Sequence, residues 1–598
     1  MLTERAPDVA QGWRLLGATY LRMNAPDRAL DVVRKPLARG AQDPMLFTIA
    51  GEAALKQGDS AGAAKYFEKA RALDPKDARK LTGLALAHLA SGDPKRAIGE
   101  LESAVQLDSS NLQTELALVT ALMRDKRYDQ ALAAIDRMDK KEPGNPLPAN
   151  LRGAVLNEQG KTQEARRAFE EAVKRDPKYF PAAANLANLD LHENKPAEAR
   201  KRYEAVLAAD PKNAQAHVAL AALAARTGAP RAEVLALLEK GRAANPQSAL
   251  PVLATGRYML ETNTPGEAVP LLQQAVNKDP DNPQLLDLLA SALLRTDQRV
   301  QAIATWERLL RASPSNWGAH MHIGEAQRAA GNNEAALASF RKAAAIAQDA
   351  VEPQVAIASV LQQLGRKDEA QKVATELSKS DRNGLVGLVL QGDLAAADRN
   401  WAPAIDAYRK AFAQQKSLPV GTKLHRALLA AGRTADADTM LRDWIRSEPK
   451  DLPLRLYAGE SELARQRWRQ AYDQYAVVID KEPSNALALN NAAWALHQLK
   501  DDRAPEIAKR AWEAAPKNPA ILDTYGVILS ERGDAKGLDM LRQAVAAAPE
   551  AAQLRLHLAE ALARAGDKAA AREAVAAVLE TTSTGPIAEA ARALQAKL

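Results

Sequence analysis

The stretch from Gly160 to Pro177, GKTQEARRAFEEAVKRDP, decides the fold because it holds one amphipathic helix and the signals that bound it. Gly160 ends the preceding helix. Pro177 stops this one, since proline cannot continue a helix and disfavours helical backbone at the residue before it. Between these signals the apolar residues recur at the helical spacing i, i+3, i+4, i+7 and i+8. These residues are Ala165, Ala168, Phe169, Ala172 and Val173. A second apolar run follows, so the pattern predicts a helix–turn–helix unit.

The same unit recurs along the chain with a period of about 34 residues. The prolines that end the successive units, called stops below, are Pro75, Pro143, Pro177, Pro211, Pro246, Pro280, Pro314, Pro449, Pro483, Pro516 and Pro549. An alanine stands twelve residues before most stops, and a bulky apolar residue often stands eight residues before them, as at Phe67, Phe169, Tyr203, Trp306, Phe340, Tyr408 and Tyr475. A small residue at one fixed position and a large one at another indicate two helices that pack closely in every unit.

This pattern of period, small residue, bulky residue and proline resembles the tetratricopeptide repeat (TPR). The first unit also carries that family's signature Trp-x-x-Leu-Gly-x-x-Tyr, from Trp13 to Tyr20, followed by Ala29. The resemblance implies an all-α fold, a right-handed α-solenoid of about seventeen repeats with a C-terminal capping helix. It also implies a concave groove lined by the first helix of each repeat, where proteins or extended peptides bind.

The spacing of the stops divides the chain into three parts. Residues 1–9 are expected to be an N-terminal lead-in, residues 10–583 the repeat array, and residues 584–598 a capping helix that covers the last exposed seam. The pattern is least regular over 350–420, where proline stops are missing. That irregularity predicts either a softer joint in the array or ordinary repeat drift.

Composition excludes several classes of protein. The 81 basic residues nearly balance the 74 acidic ones, and no long basic run occurs, so a nucleic-acid partner is not expected. The sequence contains no cysteine, which removes disulfides, thiolate metal sites and a cysteine nucleophile. It shows no apolar signal core and no apolar run of the roughly 18 residues that a membrane helix needs. Membrane association is therefore expected only through a lipid anchor, which this chain lacks.

The residues that could carry chemistry do not form a reactive motif. Gly160-Lys161-Thr162 resembles the end of a phosphate-binding loop, but position 155 is Val where that loop needs glycine, and a helix precedes it instead of a strand. The eight histidines are scattered, and His320 and His322, two residues apart, point to different faces of a helix. The sequence therefore predicts no metal, no cofactor and no enzymatic activity.

Polar residues on the first helices are the candidates for binding. Asparagines occur there at Asn185, Asn188, Asn490 and Asn491, where each could line the groove or could be a purely structural hydrogen-bonding residue. The carboxylate clamp of chaperone-binding TPR proteins is incomplete, because Ala184 stands where that clamp has lysine. By helical phase, the residues predicted to bind protein come from three adjacent repeats, and they are Asn150, Asn157, Asn188, His192 and Arg226.

Long alanine- and arginine-rich TPR chains of this style resemble the TPR-repeat lipoprotein of PEP-CTERM/exosortase systems, on stretches such as Gly51–Phe67 and Ala488–Leu496. This resemblance implies a scaffold of the bacterial cell envelope or periplasm, acting in exopolysaccharide assembly or export. The alternatives are a cytoplasmic location, a TPR appendage of a glycosyltransferase or polysaccharide-secretion complex, and a solenoid that binds carbohydrate directly. The partner and the oligomeric state stay open.

Overall fold

The computed structural model describes residues 9–23, 25–380 and 382–598, and these residues form 35 α-helices and no β-strand. The fold is therefore all-α, as the periodicity predicts. Taken in chain order, the helices make seventeen pairs and one last helix, in agreement with about seventeen repeats. The first helix begins at Ala10, and most of the lead-in predicted for residues 1–9 lies outside the described residues. The helices fall into two compact units, residues 1–365 and 366–598.

Unit 1 holds ten helical hairpins followed by a single helix. Its first helices are α1 (Ala10–Arg22), α3 (Pro44–Lys56), α5 (Ala78–Ala90), α7 (Leu112–Arg124), α9 (Pro146–Glu158), α11 (Phe180–His192), α13 (Ala214–Arg226), α15 (Ala249–Glu261), α17 (Pro283–Arg295), α19 (Trp317–Ala329) and α21 (Val351–Gln363). Its second helices are α2 (Pro26–Ala38), α4 (Ser60–Leu73), α6 (Pro94–Leu107), α8 (Tyr128–Lys141), α10 (Thr162–Arg175), α12 (Pro196–Ala209), α14 (Arg231–Ala244), α16 (Pro265–Lys278), α18 (Arg299–Ala312) and α20 (Asn333–Ile346).

Unit 2 begins with α22 (Lys367–Ser378) and continues with six hairpins and a last helix. Its first helices are α23 (Gly384–Ala397), α25 (Leu418–Ala430), α27 (Leu452–Ala464), α29 (Ala486–Gln498), α31 (Pro519–Glu531) and α33 (Ala552–Arg564). Its other second helices are α24 (Trp401–Gln414), α26 (Thr434–Ser447), α28 (Trp468–Lys481), α30 (Ala504–Ala514), α32 (Lys536–Ala547) and α34 (Lys568–Thr581), and α35 (Pro586–Gln595) follows. Ile587 and Leu594 of α35 pack against the cluster formed by α33 and α34, but the predicted capping domain itself stays a prediction.

The ends of the helices follow from local sequence. An asparagine or aspartate precedes many first helices, and its side chain accepts a backbone hydrogen bond, as Asn145 does from the amide of Leu147 at 2.9 Å. The turn inside most hairpins contains one residue in the left-handed region, which glycine adopts without strain. In the hairpin of α9 and α10 this residue is Gly160, with φ of 75°. The stretch GKTQEARRAFEEAVKRDP is therefore the turn and second helix of one repeat.

Each hairpin buries a small core of its own, which is extended by the next repeat. In α10 the predicted stripe faces inward, since Ala165 and Ala172 are fully buried and Phe169 is nearly so. Phe169 packs in a cluster with Leu186 of α11, so one large side chain joins consecutive repeats. This nearest-neighbour packing is how a chain of 598 residues is stabilised without a single central core.

Several pairs of consecutive first helices contact each other, and some are linked by hydrogen bonds between side chains 32 to 35 residues apart. The hydroxyl groups of Thr82 in α5 and Thr114 in α7 are 2.9 Å apart, and α1 packs directly on α3. Where such contacts occur, the first helices of neighbouring repeats share one face, and polar residues that point out of this face are placed to meet a partner.

The division between the units falls between Gly365 and Arg366. This position lies inside the stretch 350–420, where the repeat pattern of the sequence is least regular. Whether that stretch is softer than the rest of the array stays a prediction.

Candidate functional site

The five residues predicted to bind protein lie on three first helices of unit 1, α9, α11 and α13. Asn150 differs from the other four because its side chain is buried, with 8% exposure. Its amide oxygen accepts a hydrogen bond of 2.9 Å from Asn185 on the next first helix. The structure thus uses Asn150 and Asn185 to join α9 to α11.

The other four residues are exposed: Asn157 at the end of α9, Asn188 and His192 on α11, and Arg226 at the end of α13. Asn157 is seven residues, two helical turns, beyond Asn150, and Asn188 and His192 share one face of α11 because they are four residues apart. Four of the five residues predicted from sequence are therefore exposed on first helices. Their role in binding is not established by this placement and stays a prediction.

A buried ionic network holds the end of α11, where Asn188 and His192 lie. Asp190 is 2% exposed. Its carboxylate accepts hydrogen bonds from Arg166 Nη1 at 2.5 Å and from Arg202 Nε at 3.2 Å. Arg166 also donates to Glu193 at 2.9 Å. Burial lowers the pKa of Arg166, but the hydrogen bonds to both carboxylates outweigh it and raise the pKa overall. These ion pairs join the second helices α10 and α12 to the end of α11.

Arg226 lies where its charge reaches the packed aromatic residue of the preceding repeat. Burial raises the pKa of the Tyr203 hydroxyl, and the Arg226 charge partly offsets that rise. Tyr203 is 7% exposed and stacks on Phe180, with ring centroids 6.1 Å apart. The charge of Arg226 therefore acts on one member of this aromatic pair.

The other first-helix asparagines singled out by sequence are engaged within the protein. Asn490 Nδ2 donates to Asn491 Oδ1 at 3.3 Å, and Asn491 Nδ2 donates to the Tyr475 hydroxyl at 3.2 Å. Helical phase alone cannot separate such internally bonded asparagines from exposed ones, because both occupy the same face of the first helix.

A groove that the sequence pattern did not predict lies between α1 and α3 and has a volume of about 660 Å³. Its lining residues are Gln11, Arg14, Leu15, Ala18, Leu21, Arg22, Met45, Ile49, Glu52 and Lys56. Leu15 is 65% exposed. A signal for this groove existed in the sequence, because Leu15 is an apolar residue that falls outside the helical stripe of Trp13 and Gly17. Within the described part of the chain, no three histidine, aspartate or glutamate side chains are grouped to hold a metal.

Comparison with known proteins identifies the repeats. One family model described as a tetratricopeptide repeat matches residues 88–155 and 156–224. A second model with the same description matches residues 50–111, 288–351 and 535–586. The chain contains tetratricopeptide repeats. Members of this repeat class serve in protein interaction, which is the level of function that the family supports.

A curated relative and two solved structures are similar to parts of this TPR chain. A TPR repeat-containing protein of Pseudomonas aeruginosa, PA4667, is 28% identical over 208 residues, which is 28% of this chain and 35% of that protein. The chain thus spans about a third of the length of that relative. The crystal structure of MamA protein is 19% identical, with a TM-score of 0.26, over 28% of this chain and 92% of that one. MamA 41-end from Desulfovibrio magneticus RS-1 is 17% identical, with a TM-score of 0.25, over 29% and 98% respectively.

Among the helices of the described residues, none combines the length and the apolar character needed to cross a bilayer.

Proposed function

We propose that this TPR chain is a non-enzymatic scaffold that binds extended peptide segments of other proteins along the first-helix face of α9, α11 and α13. The observation that carries this proposal is the exposure of Asn157, Asn188, His192 and Arg226 on one face of three consecutive repeats. The scaffold role accords with the repeat family found by comparison.

The chemistry of these four side chains suits an extended peptide. An asparagine amide both donates and accepts hydrogen bonds, so Asn157 and Asn188 can pair with the peptide N–H and C=O groups of a bound segment. Because these hydrogen bonds are made to the backbone of the bound segment, the site can accept segments of many different sequences. His192 and Arg226 add donors at equivalent positions of consecutive repeats, 34 residues apart, and Arg226 favours an acidic side chain or carboxylate on the bound segment. Modest contacts repeated over several repeats would give the affinity.

The setting that we propose is the bacterial cell envelope, in a PEP-CTERM/exosortase or exopolysaccharide system. Its support is the family resemblance of stretches such as Gly51–Phe67. Fractionation of the native organism tests this part separately: recovery with periplasmic or envelope markers is expected, and recovery with cytoplasmic markers alone would overturn it.

The binding proposal is tested with peptides selected on the purified chain from a library of random linear sequences. Fluorescence anisotropy then compares the wild type with a variant in which Asn157, Asn188, His192 and Arg226 are all replaced by alanine. Asn150 is left unchanged, because its substitution would disturb the bond to Asn185. The matched control replaces four exposed residues of the second helices in the same repeats, Gln163, Arg167, Lys201 and Lys240.

The first-helix variant is expected to lose at least about tenfold in affinity, which corresponds to about 1.4 kcal/mol. The control variant is expected to bind as the wild type does. Equal affinities of all three proteins for every selected peptide would reject this face as the binding site, and failure to select any peptide would reject the peptide-scaffold function.

A further inference from the structure

The groove between α1 and α3 has the form of a docking site for another helix. The two first helices run side by side. α1 contributes lining residues at Gln11, Arg14, Leu15, Ala18, Leu21 and Arg22, and α3 contributes Met45, Ile49, Glu52 and Lys56. On each helix these residues follow the three- and four-residue spacing of a single face. Because an α-helix rises 1.5 Å per residue, the lining of α1 extends for about 16 Å, the length of a helix of about eleven residues.

The floor of the groove is apolar and incompletely covered. Leu15 is 65% exposed, whereas Ile49, which faces the same space from α3, is 4% exposed and belongs to the core. Leu21 and Met45 are partly buried against that core. This apolar strip runs from the core out to solvent. A partner that covers it would be stabilised by about 25 cal/mol per Å² of apolar surface buried.

The rim of the groove carries an excess of positive charge. Arg22 and Lys56 are the last residues of α1 and α3, and both are exposed at that end of the groove. Arg14, on the wall, donates through Nε to the buried Asp43 carboxylate at 2.8 Å, so its charge is already used within the protein. Glu52 is the one carboxylate in the lining. Burial raises the pKa of Glu52, and the charges of Lys56 and Arg79 partly offset the rise. The cations around the groove therefore outnumber the anions that they meet.

We propose that the α1–α3 groove binds a short amphipathic helix whose apolar stripe is flanked by acidic residues. The apolar stripe would cover Leu15, Leu21 and Met45, and the acidic flank would lie against Arg22 and Lys56. The helical partner fits a groove formed by two parallel helices, where a third helix can pack its ridges between theirs. This inference rests on the proposed scaffold function, but it names a second site with a different partner chemistry from the extended-peptide face of α9, α11 and α13.

The test uses synthetic peptides of fourteen residues labelled with a fluorophore. The first probe has leucine at helical spacing and glutamate at the flanking positions. The second has lysine in place of every glutamate, and the third has the composition of the first with the leucines dispersed around the helix. Anisotropy titrations use the full chain as wild type, as Leu15→Glu and as the double variant Arg22→Glu with Lys56→Glu.

Matched controls are the exposed Leu107→Glu on α6 and the exposed Lys65→Glu on α4, which lie outside the groove in the same unit. Because Leu15, Arg22 and Lys56 are all exposed, the groove variants are expected to fold. Hydrogen exchange of the α1 and α3 amides verifies this for each variant.

The expected result is binding of the acidic amphipathic probe, at least about tenfold weaker binding of the other two probes, and a similar loss in both groove variants but in neither control. Equal binding of the acidic and basic probes, or full affinity in Leu15→Glu, would overturn the inference. Light scattering supplies a further outcome: a dimer of the wild type that Leu15→Glu dissociates would make a second copy the occupant and overturn the acidic-helix partner. If these probes fail while the selected extended peptides still bind the α9–α13 face, the inference falls and the proposed function stands.

Discussion

The Cβ atom that Gly153 lacks would lie 2.5 Å from the ring of Phe169, on the second helix of the same repeat. Real Cβ atoms do not approach carbon atoms so closely, so the aromatic ring occupies the space that glycine leaves. The same relation joins glycine to an aromatic residue sixteen positions later in other repeats. These pairs are Gly51–Phe67, Gly324–Phe340, Gly392–Tyr408 and Gly459–Tyr475. A first-helix glycine thus sets how near the two helices of a hairpin come.

Replacing Gly153 by alanine is expected to lower the stability of the α9–α10 hairpin by about 1–3 kcal/mol, because the added methyl group overpacks the contact with Phe169. This loss opposes the gain of about 1 kcal/mol that alanine normally brings to a helix. Opening free energies of α9 and α10 amides from hydrogen exchange measure the result. The control is Gly99→Ala on α6, where an added Cβ meets no atom within 4 Å, and there a gain of about 0.5–1 kcal/mol is expected. Stabilisation by Gly153→Ala would contradict the close approach.

The sequence predicted the repeat architecture well because its signals are local and periodic. The stripe that includes Phe169 and the stop at Pro177 act within a few residues, and repetition confirms each of them many times over. The glycine partner of the aromatic residue is visible in the TPR signature, but its generality appears only when the packing is seen. Contacts between repeats were harder to predict, since the bond between Asn150 and Asn185 depends on the rotation of two helices 35 residues apart. For the same reason, helical phase placed Asn150 in the binding face, where the structure has it buried.

The ionic network under α11 supplies a second prediction. Replacing Arg166 by alanine leaves the buried Asp190 carboxylate with Arg202 as its one remaining cation among the contacts described. A cost of about 2 kcal/mol is expected, since removing one partner of a buried charge leaves part of its desolvation uncompensated. Hydrogen exchange of α11 amides measures it. The control is Lys201→Ala, because the pair of Lys201 with Glu198 is exposed, and a surface pair of this kind contributes about 0–1 kcal/mol. Equal effects of the two substitutions would contradict the network's role.

The ion pair of His557 with Asp523 is expected to make unit 2 less stable as pH rises. Burial lowers the pKa of His557, but the hydrogen bond and charge of Asp523, with Nδ1 and Oδ2 2.8 Å apart, outweigh burial and raise the pKa above 6.5. A raised pKa in the folded state means that the stabilisation is complete below pH 6.5 and is lost as pH rises through the folded-state pKa. Hydrogen exchange of α31 and α33 amides, corrected for intrinsic rates, should show this decline. The variant Asp523→Asn should abolish the decline, and an unchanged profile in that variant would reject the pairing.

The buried His425 is expected to have the opposite effect, a loss of stability in unit 2 as pH falls. It is fully buried in α25, its Nδ1 is 2.8 Å from the Tyr457 hydroxyl, and its Nε2 has no hydrogen-bond partner among the described residues. Burial lowers the pKa of His425 to about 4, and the nearby charge of Arg465 contributes to the fall. Because the unfolded chain takes up a proton near pH 6.5 and the folded chain does not, stability is expected to fall between pH 6.5 and about 4, by roughly 3 kcal/mol at most. The difference between the pH profiles of wild type and His425→Gln, measured at α25 amides, isolates this contribution. Parallel profiles would show that His425 titrates normally.

The last prediction concerns the stretch 350–420, where the units divide and the sequence predicts a softer joint. All three first helices there begin without a side-chain cap. The preceding residue is Ala350 for α21, Asn383 for α23 and Ser417 for α25, and none of them caps its helix through its side chain. In the comparison stretch 145–245, two of the three first helices are capped, α9 by Asn145 and α13 by Asn213, whereas Tyr179 before α11 makes no side-chain cap. A cap contributes about 0.5–2 kcal/mol. Amides of 350–420 are therefore expected to exchange faster than those of 145–245.

The same difference can be changed by substitution. Ala350 already has the extended backbone of a capping residue, with φ of −77° and ψ of 135°. Ala350→Asn is therefore expected to raise the opening free energy of α21 amides by about 1 kcal/mol, and Asn145→Ala to lower that of α9 amides by a similar amount. Equal protection of the two stretches in the wild-type chain would remove the soft joint. A soft joint that persists unchanged in Ala350→Asn would show that helix capping is not its cause, and the irregular spacing of the stops would then be the feature to alter.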